Sequence, residues 1–449
     1  MSELQVFRPI TTPSTLRQAK STSVLEVVSR TSGQHAPPTL RTLALMAETG
    51  RRTLSTVRRD RTLARLHTVA DARRLARRRV PPAVFDYIEG GAGEERTLAA
   101  NREAIEAVGF VPRMGVTAGV PGPDLATTVL GTPVSMPLLV SPVGFTRMMD
   151  PAGDVAGARA AGAAGTIFTL SSMSGHTIEE VASAATGPIW FQLYFLGGRS
   201  GAEQLVARAR DAGYGALVVT VDTQIPGNRE RDHRYGLSPP LTLDRKTVMK
   251  MAPQAATHPW WLLDVARDNF RLELANATSI VVDGRTLSAG EALVHWISAP
   301  PLWADFAWLR EQFAGPVICK GIVTGDDARR AVDAGVSAII VSNHGGRQLD
   351  GIAAGLPALV EVLEAVGDQV EVLVDGGFRR GADVVRAVAL GARAAMIGRP
   401  WAYGLAAAGE LGVARVLSIL RQDIDRTLRL VGAPSVSSLD PTFVRPPEW

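Results

Sequence analysis

The segment VSNHGGRQLDG (341–351) sets a histidine, two glycines and an arginine directly after the apolar run AIIVS, where a buried strand would end. His344 could take up a proton, because an imidazole titrates near neutral pH, and Arg347 could grip a carboxylate through two parallel N–H donors. Polar residues follow other apolar runs in the same way. ALVVTV holds Thr220 and leads to Asp222 and Arg229, while PVIC leads to Lys320. EVLV leads to Asp375-Gly376-Gly377 with Arg379, and AAMI to Gly398-Arg399. A lysine closing an apolar run needs an anion nearby, since an unpaired buried cation is costly. The glycines after the last two runs free backbone N–H groups and the arginines add charged donors, a combination suited to a phosphate.

These residues need a scaffold that brings strand ends together. Apolar β-type runs recur at 137–142, 166–171, 189–194, 216–222, 316–321, 338–343, 371–377 and 394–399. Between most of them lie helix-like segments such as GDVAGARAAG, AEQLVARARDAG, DDARRAVDAG and ADVVRAVALG, each closed by a glycine suited to a helix C-cap. Eight such units predict an α/β protein with a closed parallel (β/α)₈ or TIM barrel. An open doubly wound sheet is the alternative, but no G-x-G-x-x-G follows an early strand. Barrel active sites collect at the C-terminal strand ends. That rule adds Pro142, Val143 and Gly144 after the first run, Ser171 in the second, and Gln192 and Tyr194 in the third.

The organisation around the barrel is uneven. Residues 1–82 hold 16 Lys and Arg against 5 Asp and Glu, although the whole chain of 449 residues carries only +4. Residues 1–62 read as a disordered basic extension, and 63–449 as the barrel domain. The extension could be a solvated tail, or could dock on an anionic membrane surface or a protein partner. No recognition motif accompanies its charge, so nucleic acid is not expected as a partner. A long insertion, 223–302, separates the fourth and fifth strands. Its Met249, Met251, Trp260, Trp261 and Leu262 could form a lid or an apolar contact with a membrane or quinone, or could simply pack on the barrel. No stretch is long and apolar enough to span a bilayer, and there is no secretory-type leader, so a cytoplasmic location, peripheral to a membrane at most, is expected. Cys319 is the single cysteine, which excludes an internal disulfide and a multi-cysteine metal site; no metal is expected.

The stretches VFDYIEGGAGEE, SPVGF, TLSSMSGHTIEEVA, FQLY, TVDTQIPGNRERD, VSNHGGRQLDG, DGGFRRGADVVRAVALGA and IGRPWAYGLAAAGE resemble those of the FMN-dependent α-hydroxy-acid dehydrogenase and oxidase family over roughly residues 67–435. Within it, SPVGF and the PG-x-R-x-RD run are most similar to bacterial respiratory L-lactate dehydrogenases. The resemblance implies oxidation of a small L-2-hydroxy acid, L-lactate first, with electrons passed to a quinone or another acceptor. A larger peptide-derived or secondary-metabolite acid, or oxygen as acceptor, is the alternative; a flavin-binding scaffold is a remote one. It implies His344 as base, Asp222 as its partner, and Arg229, Arg347, Tyr87 and Tyr194 as substrate ligands, with a surface ion pair to Glu230 or Asp232 the competing role for Arg229. FMN would be held by Pro142, Val143, Gly144, Ser171, Gln192, Thr220, Lys320, Ser342, Asp375, Gly376, Gly377, Arg379, Gly398 and Arg399. Gly144, in place of alanine, would leave room beside the flavin, and Met173 in place of an aromatic residue would open the pocket to larger side chains. The family commonly forms tetramers, so a homo-oligomer is expected.

Overall fold

Side chains alternate in direction along a strand, and in a closed parallel barrel one set must fill the lumen while the other meets the surrounding helices. The computed structural model describes residues 59–115, 122–236 and 252–448. Two units, Met1–Val57 and Arg58–Trp449, make up the chain, and the described residues all belong to the second. The expected disorder of the basic arm therefore lies outside them, except that residues 59–62 are helical.

The barrel strands are β1 (Leu138–Val140), β2 (Phe168–Ser171), β3 (Ile189–Leu193), β4 (Ala216–Thr220), β5 (Val317–Ile322), β6 (Ala338–Val341), β7 (Glu371–Val374) and β8 (Ala394–Ile397). They close in sequential order, each parallel to its neighbours. This is the expected TIM barrel, with every strand inside or within one residue of its expected run.

Two apolar clusters follow from the alternation. Leu139, Ile167, Trp190, Ala216, Val218, Ile318, Ala338, Ile340, Leu373, Ala394 and Met396 fill the lumen, joined at the bottom by Val129 and Val134 of a hairpin. The intervening residues, Cys319 among them, face the helices. Cys319 is a buried free thiol of that core. One step up from the lumen cluster, the same inward face carries Ser141, Ser171, Gln192, Thr220, Lys320, Ser342 and Asp375, all buried. The top layer of the lumen is thus polar where the layers below, Thr169 aside, are apolar.

The helices α1 (Val69–Arg79) and α2 (Pro82–Glu89) lie either side of the Pro81-Pro82 break, and α3 (Arg96–Ala107) follows. The helices after β1, β3, β5 and β7 hold the anticipated segments, but the first, Gly153–Ala163, does not stop at Gly162. A Cβ on Gly162 would lie 2.6 Å from the Gly187 nitrogen, so that glycine permits close packing, and Gly165 supplies the left-handed turn with φ of 66°.

Within the insertion, Met249 and Met251 fall outside the described residues. Helix α4 (Pro259–Arg267) packs against the barrel. Trp261 is 5% exposed and donates from Nε1 to the Met148 carbonyl at 2.7 Å, while Arg79 pairs with both Asp150 and Asp264 at 2.8 Å. Arg147 reaches Asp268 just beyond the helix at 2.8 Å. Buried ion pairs and an indole hydrogen bond hold α4 to the β1 end, which favours the packed reading over a lid for Trp261; Trp260 beside it is 49% exposed. Trp261→Ala should lower unfolding free energy by roughly 3–5 kcal/mol, the usual cost of emptying a buried tryptophan site, and Trp260→Ala by much less. Urea titrations of the two variants check this.

Candidate active site

After β6 the backbone turns through three successive left-handed residues, His344 (φ 57°), Gly345 (φ 64°) and Gly346 (φ 75°). Such a run disfavours side chains, which explains the two glycines and makes the conformation of His344 costly. A buried reciprocal pair holds it: Asn343 and Asn101 of α3 exchange side-chain hydrogen bonds, both 2.9 Å. Asn343 also donates to Ala353 O at 2.9 Å, and the His344 amide donates to Ser342 Oγ at 3.0 Å. The sequence reading missed Asn101 and Asn343, whose work is to brace the turn.

The His344 ring faces Asp222, its Nδ1 lying 3.0 and 3.2 Å from the two carboxylate oxygens. Burial opposes the Asp222 charge, yet His344 and then Lys320 hold its pKa below the ordinary value. An ionised carboxylate only accepts, so Nδ1 carries the proton and Nε2 keeps a lone pair on the cleft side. Tyr194 Oη stands 3.5 Å from that Nε2. Burial pushes the His344 pKa below the usual imidazole value; Asp222 pulls it back, and Lys320 and Arg229 add to the fall. At neutral pH the ring is a free base.

Two guanidinium groups share the cleft. Arg347 donates from one Nη to Tyr87 O and Gly90 O, at 2.7 and 2.8 Å, and lies 4.9 Å from the Tyr87 ring centre. Arg229 donates to Arg347 O at 3.3 Å and Gln348 Oε1 at 3.1 Å. Among the described residues it makes no ion pair with Glu230 or Asp232, so the surface-pair alternative does not hold. Its pKa is depressed to about 10 by burial first and Arg347 second, with Tyr87 and Asp232 countering. Cations held together without a carboxylate on either favour an anionic guest. Tyr87 donates its hydroxyl to Gly144 O at 3.1 Å.

These groups, with Pro142, Val143, Gly144, Ser171, Gln192, Thr220, Lys320, Asp375, Gly376, Gly377, Arg379, Gly398 and Arg399, line one cleft of about 1370 Å³, its open mouth included. Asp222 and Ser342 stand one layer behind, on His344 and on Lys320. Lys320 Nζ donates to Ser342 Oγ at 2.8 Å and pairs with Asp375 at 3.1 Å, so Asp375 is the anion that a lysine in this position required. Ser171 Oγ donates to Gln192 Oε1 at 3.1 Å. That leaves Gln192 Nε2, Thr220 Oγ1, Asp375 Oδ1 and Ser141 Oγ buried without a partner among the described residues. Donors and acceptors left unmet around one cleft are costly unless a ligand meets them. A flavin pyrimidine ring, with both kinds of group on its edge, fits the donor set.

One expectation needs correction. A Cβ on Gly144 would lie 2.9 Å from Met173 Cβ, so Met173 already fills the space that Gly144 was expected to leave. Arg399, expected at a phosphate, lines the cleft and gives three of its five N–H donors to the carbonyls of Ile88, Gly345 and Gly90 at 3.0, 2.8 and 2.8 Å, which leaves two for an anion. It ties α2 to the His344 turn, and burial lowers its pKa to about 9. Among the described residues, the Arg379 guanidinium donates only to its neighbour's carbonyl, Phe378 O, at 2.8 Å. The reading also missed Leu293 and Trp296, which reach the cleft from helix α5 (Ala289–Ser298) of the insertion.

The turn yields a test. A Cβ on Gly345 would meet the flexible end of Arg399 at 2.9 Å, but one on Gly346 would meet the backbone of Leu98 at 2.7 Å. Both alanine variants should lose about 1–2 kcal/mol to left-handed strain, and Gly346→Ala roughly 1–3 kcal/mol more to overpacking, as measured by chemical denaturation.

Comparison with known proteins agrees with this geometry. A family model described as FMN-dependent dehydrogenase matches residues 76–446. Pre-mycofactocin synthase of Mycobacterium tuberculosis (strain ATCC 25618 / H37Rv) is 46% identical over 387 residues, covering 85% of this chain and 94% of that protein. L-lactate dehydrogenase of Caulobacter sp. (strain K31) is 40% identical over 379 residues, covering 84% and 97%. The crystal structure of the monotopic membrane protein (S)-mandelate dehydrogenase superposes with a TM-score of 0.77 at 39% identity, over 85% of this chain and all of that one. The identity to pre-mycofactocin synthase exceeds that to the lactate dehydrogenase, toward which the motifs pointed. The chain belongs to the FMN-dependent dehydrogenase family and is one of its 2-hydroxy-acid dehydrogenase/oxidase enzymes, with FMN as cofactor.

Proposed function

We propose that the chain oxidises an L-2-hydroxy acid larger than lactate, of peptide-derived or secondary-metabolite type, to the 2-oxo acid. One observation carries the reaction class: an imidazole with its free nitrogen on the cleft side stands by two guanidinium groups that, among the described residues, have no carboxylate within ion-pair distance. The size of the substrate is argued from the apolar wall of Met173, Leu293 and Trp296, and from the higher identity to pre-mycofactocin synthase. L-lactate is the second reading, supported by the 40% identity to lactate dehydrogenases.

Arg229 and Arg347 hold the substrate carboxylate, and Tyr87 and Tyr194 present hydroxyls beside it. His344 takes the substrate proton at Nε2, and Asp222 stabilises the imidazolium and keeps the ring in the useful tautomer. Bound FMN would supply what no side chain can, acceptance of the two electrons and the second proton released as the alcohol becomes a carbonyl. Gln192, Thr220 and Asp375 would hold its ring, and Gly377 and Arg379 its phosphate. Lys320 keeps a cation in the lumen that favours negative charge beside it. In this reading the electrons leave for a quinone or another carrier.

Anaerobic mixing of the yellow holoenzyme with a panel of L-2-hydroxy acids tests the reading. Bulky acids should bleach the flavin faster than lactate; lactate as the fastest would favour the second reading, and no bleaching with any acid would contradict both. Hydrogen peroxide yield in air then separates oxidase from dehydrogenase. His344→Ala should slow bleaching by roughly 10²–10⁴-fold while FMN content stays unchanged. The pH profile has a defined sign: the neutral ring is the active form and its pKa is lowered, so the acid limb of kcat/KM should have its midpoint below the ordinary imidazole value of about 6.5. An acid limb above that value would contradict the assignment.

A further inference from the structure

We infer that Trp296 reads the far end of the substrate: its indole N–H donates to a carbonyl or amide oxygen carried on the side chain of the 2-hydroxy acid. This deepens the proposed function and rests on it. Trp296 is 4% exposed, lines the cleft, and lies with its ring centre 4.6 Å from that of Tyr194. The Tyr194 hydroxyl is 3.5 Å from His344 Nε2, so the indole stands one aromatic ring beyond the base. Its Nε1 is buried and has no acceptor among the described residues. Two other buried indoles are satisfied: Trp261 donates to Met148 O at 2.7 Å and Trp401 to Ser141 O at 3.1 Å.

The position of the indole is fixed. Helix α5 begins with a capping box between Ser288 and Glu291, and Gly197 N donates to Ala292 O at 3.1 Å, tying the helix to the loop after β3. Leu293, one turn earlier on the same face, and Met173 add apolar surface to the lining of the same cleft. A buried donor in an apolar wall discriminates strongly, because a ligand that cannot accept its hydrogen leaves it unmet. The site therefore suits a mainly apolar side chain bearing one acceptor, as an amide-containing, peptide-derived acid would.

The test uses His344→Ala holoenzyme, so that ligands bind without turnover, and isothermal titration as the readout. Three L-acids are compared: lactate, 4-carbamoyl-2-hydroxybutanoate, and its apolar isostere 2-hydroxy-5-methylhexanoate. The amide acid should bind about tenfold tighter than the isostere. Adding Trp296→Phe should weaken the amide acid by about tenfold and leave the other two within about twofold. Equal binding of amide and isostere would overturn the inference without recourse to the Trp296 variant. So would equal weakening of all three acids by that variant, the mark of a packing role. Binding of none of the three would overturn the carboxylate site of the proposed function, and this inference with it. Bleaching of the His344-containing enzyme by 2-hydroxy acids without amide discrimination would leave the proposed function standing and remove Trp296 from it.

Discussion

Alternation of side chains along eight parallel strands is the constraint on which the rest depends. It obliges alternate residues to fill a narrow lumen, and up to the level of Ile318, Ile340 and Leu373 the chain fills it with hydrocarbon. One step higher the same face delivers Thr220, Lys320, Ser342 and Asp375, and the register sets Lys320 level with Thr220 on one side and Ile340 on the other. Buried polar atoms need partners. Lys320, Ser342 and one oxygen of Asp375 satisfy each other, while Gln192 Nε2, Thr220 Oγ1 and the other Asp375 oxygen have no partner among the described residues. The strand geometry that builds the core also creates the demand for a ligand.

The chemistry above that layer depends on charge held out of balance. His344 is paired with a carboxylate through one nitrogen only, and it occupies a backbone conformation that the Asn101–Asn343 pair and Arg399 help to enforce. Arg229 and Arg347 are anchored through carbonyls and Gln348, which orient a guanidinium without cancelling its charge. The same local economy explains both observations: the positions are fixed by neutral groups, so the charges remain available to a substrate.

The fold and most of the cleft were legible because both follow from short-range pattern. Apolar runs marked the strands, and residues at their ends had to lie together once a barrel closed. Asp222 and His344 are far apart in sequence, but each stood at a strand end. What escaped the sequence lacked such a marker. Trp296 and Leu293 lie in an insertion whose helix has an ordinary amphipathic pattern, and only its docking on the β3 loop turns that face toward the cleft. The three carbonyls that Arg399 ties together left no mark, because a guanidinium after a glycine looks the same with or without them. The space beside Gly144 was misjudged because the occupying atom, Met173 Cβ, belongs to the next strand's loop. Of the basic extension, nothing beyond the helical residues 59–62 bears on the expectation made for it.

The most direct test of the central claim is a crystal structure of the FMN holoenzyme. The account predicts flavin ring atoms within hydrogen-bond distance of Gln192 Nε2 and Thr220 Oγ1, at the top of the lumen and on the side of the cleft shared with Lys320. Flavin density elsewhere, with those atoms still unpaired or bonded only to protein, would contradict it.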